Sequence, residues 1–251
     1  MDYIKKFLYK DDISIIIVRI EDTIKATQKA HDISYEDALI IGRAQSLASF
    51  FTIWEKDDKA SVSVSLKYPE IGKNYTAISE KDGRVRGCVS GYNKGVIKTG
   101  VILEITQKLQ IKGDYTGVVT ADTEEDAVHS YFENSSQIVA TCKIKEVDEI
   151  CYCLVIEHIP GHHLQEQKAT IADAEEFLKD FIKLWDDKLI KVTEDFKQLE
   201  NIDIKYGCTC TRYSVSKMIS ALAPEEMGDY SNGGKISVTC KLCGKKYEID
   251  L

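Results

Sequence analysis

The stretch KYGCTCTRYS (residues 205–214) holds two cysteines one residue apart, and VTCKLCGKKYEIDL (238–251) holds two more, spaced by two. Together they read C-x-C-x29-C-x2-C: Cys208, Cys210, Cys240 and Cys243. Four soft ligands in two tight clusters are what tetrahedral Zn²⁺ coordination requires. Gly244, directly after the last cysteine, is free to take positive φ and turn backbone amides toward the sulfurs. The surrounding 207–251 segment is too poor in apolar bulk to fold on a core alone. A structural zinc contributes roughly 10–16 kcal/mol to folding, so metal decides whether such a module is folded. A small C-terminal zinc-binding domain is therefore expected, with one Zn²⁺ per chain.

Several uses of such a module stay open on these residues. A static staple, serving an adaptor or nucleic-acid-binding protein, is the plain reading. Residues 207–251 carry six bases against five acids. Four thiolates on one Zn²⁺ leave the module slightly negative, which disfavours nucleic acid. A thioredoxin-like pair is disfavoured because no βαβ pattern surrounds Cys240 and Cys243. The C-x-C spacing introduces a switch, because cysteines two apart in a turn can reach the Cα separation of about 4.4–6.8 Å that a disulfide needs. Each pair can then close on itself and remove its zinc ligands. Zinc-bound thiolates are nucleophilic toward peroxide or hypochlorite that reaches them. Arg212, Lys241, Lys245 and Lys246 lower the local negative potential.

Upstream lies ATIADAEEFLKDFIKLWDDKLIKVTEDFKQLE, in which Ile171, Ala174, Phe177, Leu178, Phe181, Trp185 and Leu189 follow a 3.6-residue repeat. Val192, Phe196 and Leu199 continue it, after a break near Asp186–Asp187. Residues 171–206 are thus expected to be an amphipathic helical linker that needs a docking surface. Phe177, Phe181, Trp185 and Leu189 are its candidate regulatory contacts.

Residues 1–170 read differently. ISIIIVRI (13–20) has the β-branched content of a buried strand, and ASVSVSLKY (60–68) alternates with period two. YTAIS, VRGCVSGY, GVILEITQKL, GDYTGVVTA, QIVATCKIKEV and EICYCLVIEH are further strands. DTIKATQKAHD, SYEDALIIGRAQSLASFFTIW and TEEDAVHSYFENS (123–135) are helices. In the second, Ala38, Ile41, Gln45, Ala48 and Thr52 mark one side, with Gly42 and Ala44 permitting close packing. The sum is an α+β domain of antiparallel sheets with packed helices. After the first cysteine pair, Val215, Met218, Ile219 and Leu222 give a short helix, and Pro224 with Glu225 and Glu226 starts another. ISVT and YEID are two strands flanking Cys240 and Cys243.

The chain has 251 residues, net charge −8 and 43% hydrophobic residues, enough for a sizeable core and too acidic for a primary nucleic-acid or anionic-membrane role. Its N-terminus resembles neither a signal peptide nor a spanning helix, so a cytoplasmic location is expected. Cysteines there are mostly thiols. Cys151 and Cys153 face one side of a strand and, like Cys88 and Cys142, read as buried residues, an auxiliary redox pair at 151 and 153 being the alternative. His158, His162 and His163 read as solvated loop residues, with no carboxylate or cysteine at ligand spacing.

The C-x-C and C-x2-C pairs, the strand bearing Tyr247 and the intervening KMISALAPEEMGDYSNGGKISVTCKLCG resemble the thirty-three-kilodalton heat-shock protein family. ALIIGRAQSLASFF, GRVRGCVSGY, YTGVV and YFENSSQI are weaker echoes through the body; Ser136 departs by replacing an acid, and CYCLVIEHIPGHHL matches only loosely. The resemblance implies a redox-regulated holdase chaperone of the cytosol, not an enzyme, that acts in oxidative stress. It implies zinc on the four cysteines in the reduced, inactive state. It further implies Cys208–Cys210 and Cys240–Cys243 disulfides on oxidation, zinc release, and unfolding of module and linker. Unfolded or partly folded client proteins and a homodimer of the active form are the implied partners. Independence from ATP fits the lack of a P-loop or glycine-rich phosphate motif.

Overall fold

IIIV (15–18) is apolar at consecutive positions because its strand, β2 (Ile13–Ile20), is buried on both faces. Ile16, Val18 and Ile20 enter the main core, while Ile13, Ile15 and Ile17 join a second cluster with Tyr3, Phe7 and Leu154. The computed structural model describes residues 1–9, 11–92, 99–110, 113–159, 196–221 and 234–250. Within them β2 pairs with β1 (Asp2–Tyr9) and with β9 (Ile150–His158), which in turn pairs with β8 (Ala140–Val147). A second set, β3 (Ser61–Tyr68), β4 (Lys73–Glu80), β5 (Arg84–Gly91), β6 (Val101–Leu109) and β7 (Gly113–Ala121), forms an antiparallel array.

One strand joins the two sets. β10 (Phe196–Tyr206) pairs antiparallel with β1 from Asp2–Ile204 to Tyr9–Phe196, and in parallel with β5 at Lys205–Arg84 and Tyr206–Val85. The result is a ten-stranded sheet in the order β7-β6-β3-β4-β5-β10-β1-β2-β9-β8. This corrects the expected helix at its C-terminal end, since residues 196–206 are a strand. Ile202 and Ile204 alternate with Asp203 and Lys205, and the free edge of β1 outweighs the helical spacing of Phe196 and Leu199. The rest of the expected linker, including Phe177, Phe181, Trp185 and Leu189, lies outside the described residues, as do Pro224, Glu225 and Glu226.

Helix α2 (Tyr35–Trp54) crosses the inner face of the sheet and is apolar nearly all round, as a core helix must be. Ser34 caps it by accepting the Asp37 amide at 3.1 Å. Ala38, Ile41, Gln45, Ala48 and Thr52 are all buried. Gly42 admits Ile24 of α1 (Asp22–His31), since a Cβ there would sit 2.5 Å from Ile24 Cδ1. The buried Asp2 carboxylate holds the start of α1, accepting the amides of Glu21, Asp22 and Thr23 at 2.7–3.0 Å. Helix α3 (Glu124–Tyr131), followed by a π turn over Phe132–Ser136, is tied to α2 by Arg43, which bonds Glu124 at 2.6 Å and Glu146 at 2.7 Å. Among the described residues no helix is long and apolar enough to cross a membrane.

Candidate metal centre

The chain leaves β10 at Gly207, whose amide donates to the Val85 carbonyl at 2.9 Å. Cys208 and Cys210 follow at once. Thr211 then caps α4 (Arg212–Ile219), its hydroxyl accepting the Ser214 amide at 3.0 Å in a reciprocal capping box. The second cysteine pair sits between β11 (Lys235–Thr239) and β12 (Lys246–Asp250), which pair antiparallel. The Cys240 amide donates to the Lys245 carbonyl and the Gly244 amide to the Cys240 carbonyl, both at 2.9 Å. Gly244 has φ +71°, as the knuckle turn requires.

These two loops place the four Sγ atoms within 4.8 Å of one another. Cys208 and Cys240 are 3.9 Å apart, and Cys210 and Cys243 are 3.5 Å apart. A tetrahedron with metal–sulfur bonds of about 2.3 Å has sulfur–sulfur edges of about 3.8 Å. The donor set therefore fits one tetrahedral soft cation. The two short separations each join one cysteine of each pair.

Support around the sulfurs is polar on one side and apolar on the other. The Tyr247 hydroxyl lies 3.1 Å from Cys210 Sγ and donates to the Cys210 carbonyl at 3.0 Å. Backbone amides of Cys210 and Lys245 serve Cys208 and Cys243 respectively. Burial works to raise the Cys210 thiol, but the Tyr247 hydroxyl and the neighbouring sulfurs outweigh it and bring it to about 7. Burial raises Cys208 and Cys243. Below the sulfurs, Val215, Ile219, Ile236, Tyr247 and Ile249 form the buried cluster of this unit among the described residues. Such a cluster is small for independent stability, which leaves the cysteine centre to hold it.

The unit also touches the main domain. A Cβ on Gly244 would lie 2.2 Å from the Ala30 carbonyl oxygen, so the knuckle presses on the end of α1. Burial and the four sulfurs together push the Tyr206 phenol above its usual range. Cys88, expected in the core, is half-buried on β5; burial raises its thiol, with Cys240 adding to the effect. Tyr206 and Arg86 are neighbours of the centre that spacing did not single out, though Arg86 falls within GRVRGCVSGY.

The remaining cysteines and His158 sit elsewhere. Cys142, Cys151 and Cys153 are buried, and the close pair is Cys142 with Cys153, Sγ to Sγ 3.9 Å, across β8 and β9, rather than Cys151 with Cys153. His158 is buried at the end of β9, its Nδ1 2.7 Å from the Ile159 carbonyl, which corrects the solvated-loop expectation. The strand ends at His158, where the sequence reading of EICYCLVIEH also ended it. His162 and His163 lie outside the described residues.

Residues 2–250 match the family model described as Hsp33 protein. The 33 kDa chaperonin of Thermoanaerobacter sp. (strain X514) is 24% identical, over 99% of this chain and 95% of its own length. That of Thermotoga maritima is 24% identical, over 96% of this chain and 91% of its own. The crystal structure of the 33 kDa chaperonin (heat shock protein 33 homolog) from Thermotoga maritima superposes with a TM-score of 0.80 at 19% identity, covering 99% of this chain and 94% of that one. With a ten-stranded α+β core, a four-cysteine centre and a match from end to end, this chain belongs to the Hsp33 family.

Proposed function

We propose that this protein is a redox-regulated, ATP-independent holdase chaperone of the cytoplasm, with zinc on Cys208, Cys210, Cys240 and Cys243 in its reduced, inactive form. The observation that carries the reading is the four Sγ atoms within 4.8 Å of one another, in a chain that matches the family model over residues 2–250. When bound, zinc supplies the folding free energy of the module and keeps the sulfurs as thiolates.

Oxidation is the chain's own chemistry. A thiolate attacks the O–O bond of a peroxide, giving a sulfenic acid and releasing hydroxide. The adjacent thiolate then attacks that sulfur and expels a second hydroxide, so each disulfide consumes one peroxide and yields two electrons. Two such events give Cys208–Cys210 and Cys240–Cys243 and remove every metal ligand. The small cluster around Ile236 and Tyr247 cannot then hold the module, since its loss of roughly 10 kcal/mol exceeds the stability of so small a unit. Apolar surface released from module and linker, with Phe177, Phe181, Trp185 and Leu189 as linker contacts, binds unfolding client proteins in an active homodimer. β10 stays with the main sheet, so the segment that undocks ends before Phe196.

The decisive experiment measures zinc content, free thiols and client protection on one sample. Reduced protein should hold one zinc per chain and leave citrate synthase to aggregate. Peroxide with mild heat should release the zinc, oxidise four thiols and confer protection. Zinc retained under oxidant, or no protection by the zinc-free oxidised protein, would sink the proposal in favour of a static zinc module.

A further inference from the structure

Helix α1 (Asp22–His31) is held at both ends and only weakly along its length. Its start belongs to the main domain, where the Asp2 carboxylate accepts the amides of Glu21, Asp22 and Thr23. Its last turn carries Ala30, whose carbonyl oxygen faces the Gly244 knuckle of the C-terminal module. Between these points α1 buries Thr23, Ile24 and Thr27, so one large apolar side chain attaches it. The polar part of that face is poorly matched. Thr27 Oγ1 accepts from Gln45 Nε2 of α2 at 2.7 Å, but Thr23 Oγ1 and Gln45 Oε1 are buried without a partner among the described residues. Each such orphan opposes docking, because water would satisfy it. Ten residues are also too few for a helix that stands by itself in water. α1 therefore depends on its end contacts, and the contact at Ala30 comes from the module.

The seat beneath Ile24 is a notch at Gly42 of α2, where an added Cβ would meet Ile24 Cδ1 at 2.5 Å and Cγ1 at 2.8 Å. The side chain now in the notch sets the chemistry of any other occupant: branched and aliphatic. We propose that α1 is a clasp over a client site. While the knuckle bears on Ala30 the helix stays shut; when the module leaves, the Ala30 end lifts about the Asp2 anchor. The vacated Gly42 notch then takes a branched aliphatic side chain of an unfolding client in place of Ile24. The inference rests on release of the module in the reading above, and it names a client surface in the main domain in addition to the linker contacts. Cys151 stays under α2 itself, its Sγ 3.8 Å from Ser46 Oγ.

The test is hydrogen exchange of the full-length protein in three states: reduced with zinc, reduced after a chelator has stripped the zinc, and oxidised. Amides of α1 should exchange at least about tenfold faster in the second and third states than in the first, while those of α2 stay slow. Equal exchange of α1 in all three overturns the clasp, whatever zinc release and client protection do. The stripped state needs no oxidant, so the clasp is decided even where oxidation fails to release zinc and the redox reading falls. Gly42→Ala then reads the notch, since its added carbon fills it. In the oxidised protein the concentration that half-protects citrate synthase should rise roughly fourfold, the worth of one buried methylene, with zinc release unchanged. Unchanged half-protection overturns the client site. If Gly42→Ala does not fold, an isoleucine-bearing peptide and its serine-substituted twin compete with citrate synthase for the oxidised wild type. Equal competition by the two peptides overturns the site as well.

Discussion

Gly244→Ala isolates what the contact between module and main domain contributes. The substitution acts twice. An alanine at φ +71° costs about 1–2 kcal/mol. Its Cβ would also lie 2.2 Å from the Ala30 carbonyl oxygen, a backbone atom that no rotamer change moves away. Carbon–oxygen contacts relax at about 3.3 Å, so the knuckle or the end of α1 must shift by about 1 Å. Overpacking of this kind costs about 1–3 kcal/mol. Gly234→Ala is the matched control, since its φ is +81° and nothing lies within 4 Å of the added carbon. The control pays only the conformational cost, and the difference between the variants is therefore about 1–3 kcal/mol, or roughly 5- to 150-fold in zinc affinity. Zinc still binds in both, because a structural site supplies about 10–16 kcal/mol. Chelator competition measures the affinities, and hydrogen exchange of the Ile33 amide, which bonds Gln28 at the end of α1, reports whether that end moves. Equal affinities for the two variants would refute the docking contact.

Asp2→Ala should lower main-domain stability by about 1–3 kcal/mol, because three amides at the start of α1 lose their acceptor; the shift of a urea unfolding midpoint checks it. Cys142, Cys151 and Cys153 should resist thiol reagents at pH 8 until denaturant is added, since burial pushes Cys151 up to about 12, and the Cys142 contact together with burial raises Cys153. More than the four centre cysteines and Cys88 reacting in the folded, metal-stripped protein would contradict this. Glu21, bonded to Lys25 and Arg19, is depressed from the usual 4.5 to about 2. Its contribution is present above pH 4.5 and fades as pH falls toward 2, so Glu21→Gln should flatten that limb of a stability–pH curve by less than about 1 kcal/mol, given solvent screening.

The cysteine centre was legible because ligand spacing is itself local geometry: C-x-C and C-x2-C bring sulfurs together whatever the rest of the chain does. The strands with strict alternation, such as Ser61–Tyr68, were legible for the same reason. β10 was not. Phe196 and Leu199 sit three apart as on a helix face, yet Leu199 is 51% exposed while Ile204 is 7% exposed. What decides the conformation is β1, whose Asp2 pairs with Ile204, and no window of sequence contains both. β1 itself was hidden because DYIKKFLY mixes lysines with apolar residues at uneven intervals, and a register shift between Lys6 and Phe7 accommodates them. The place of Tyr206 beside the first cysteine pair was invisible too, because it depends on a parallel junction only two residue pairs long.

That junction has a consequence for synthesis. Ribosomes deliver the chain N-terminus first, so β1 and β5 emerge long before the strand that fills the space between them. Until residue 206 has cleared the exit tunnel, the nascent sheet is two half-sheets with unpaired inner edges. Such edges invite mispairing with other chains. This chain must therefore pass through an aggregation-exposed state of its own on every round of translation. Chains released before β10 is made should behave as clients rather than as chaperones.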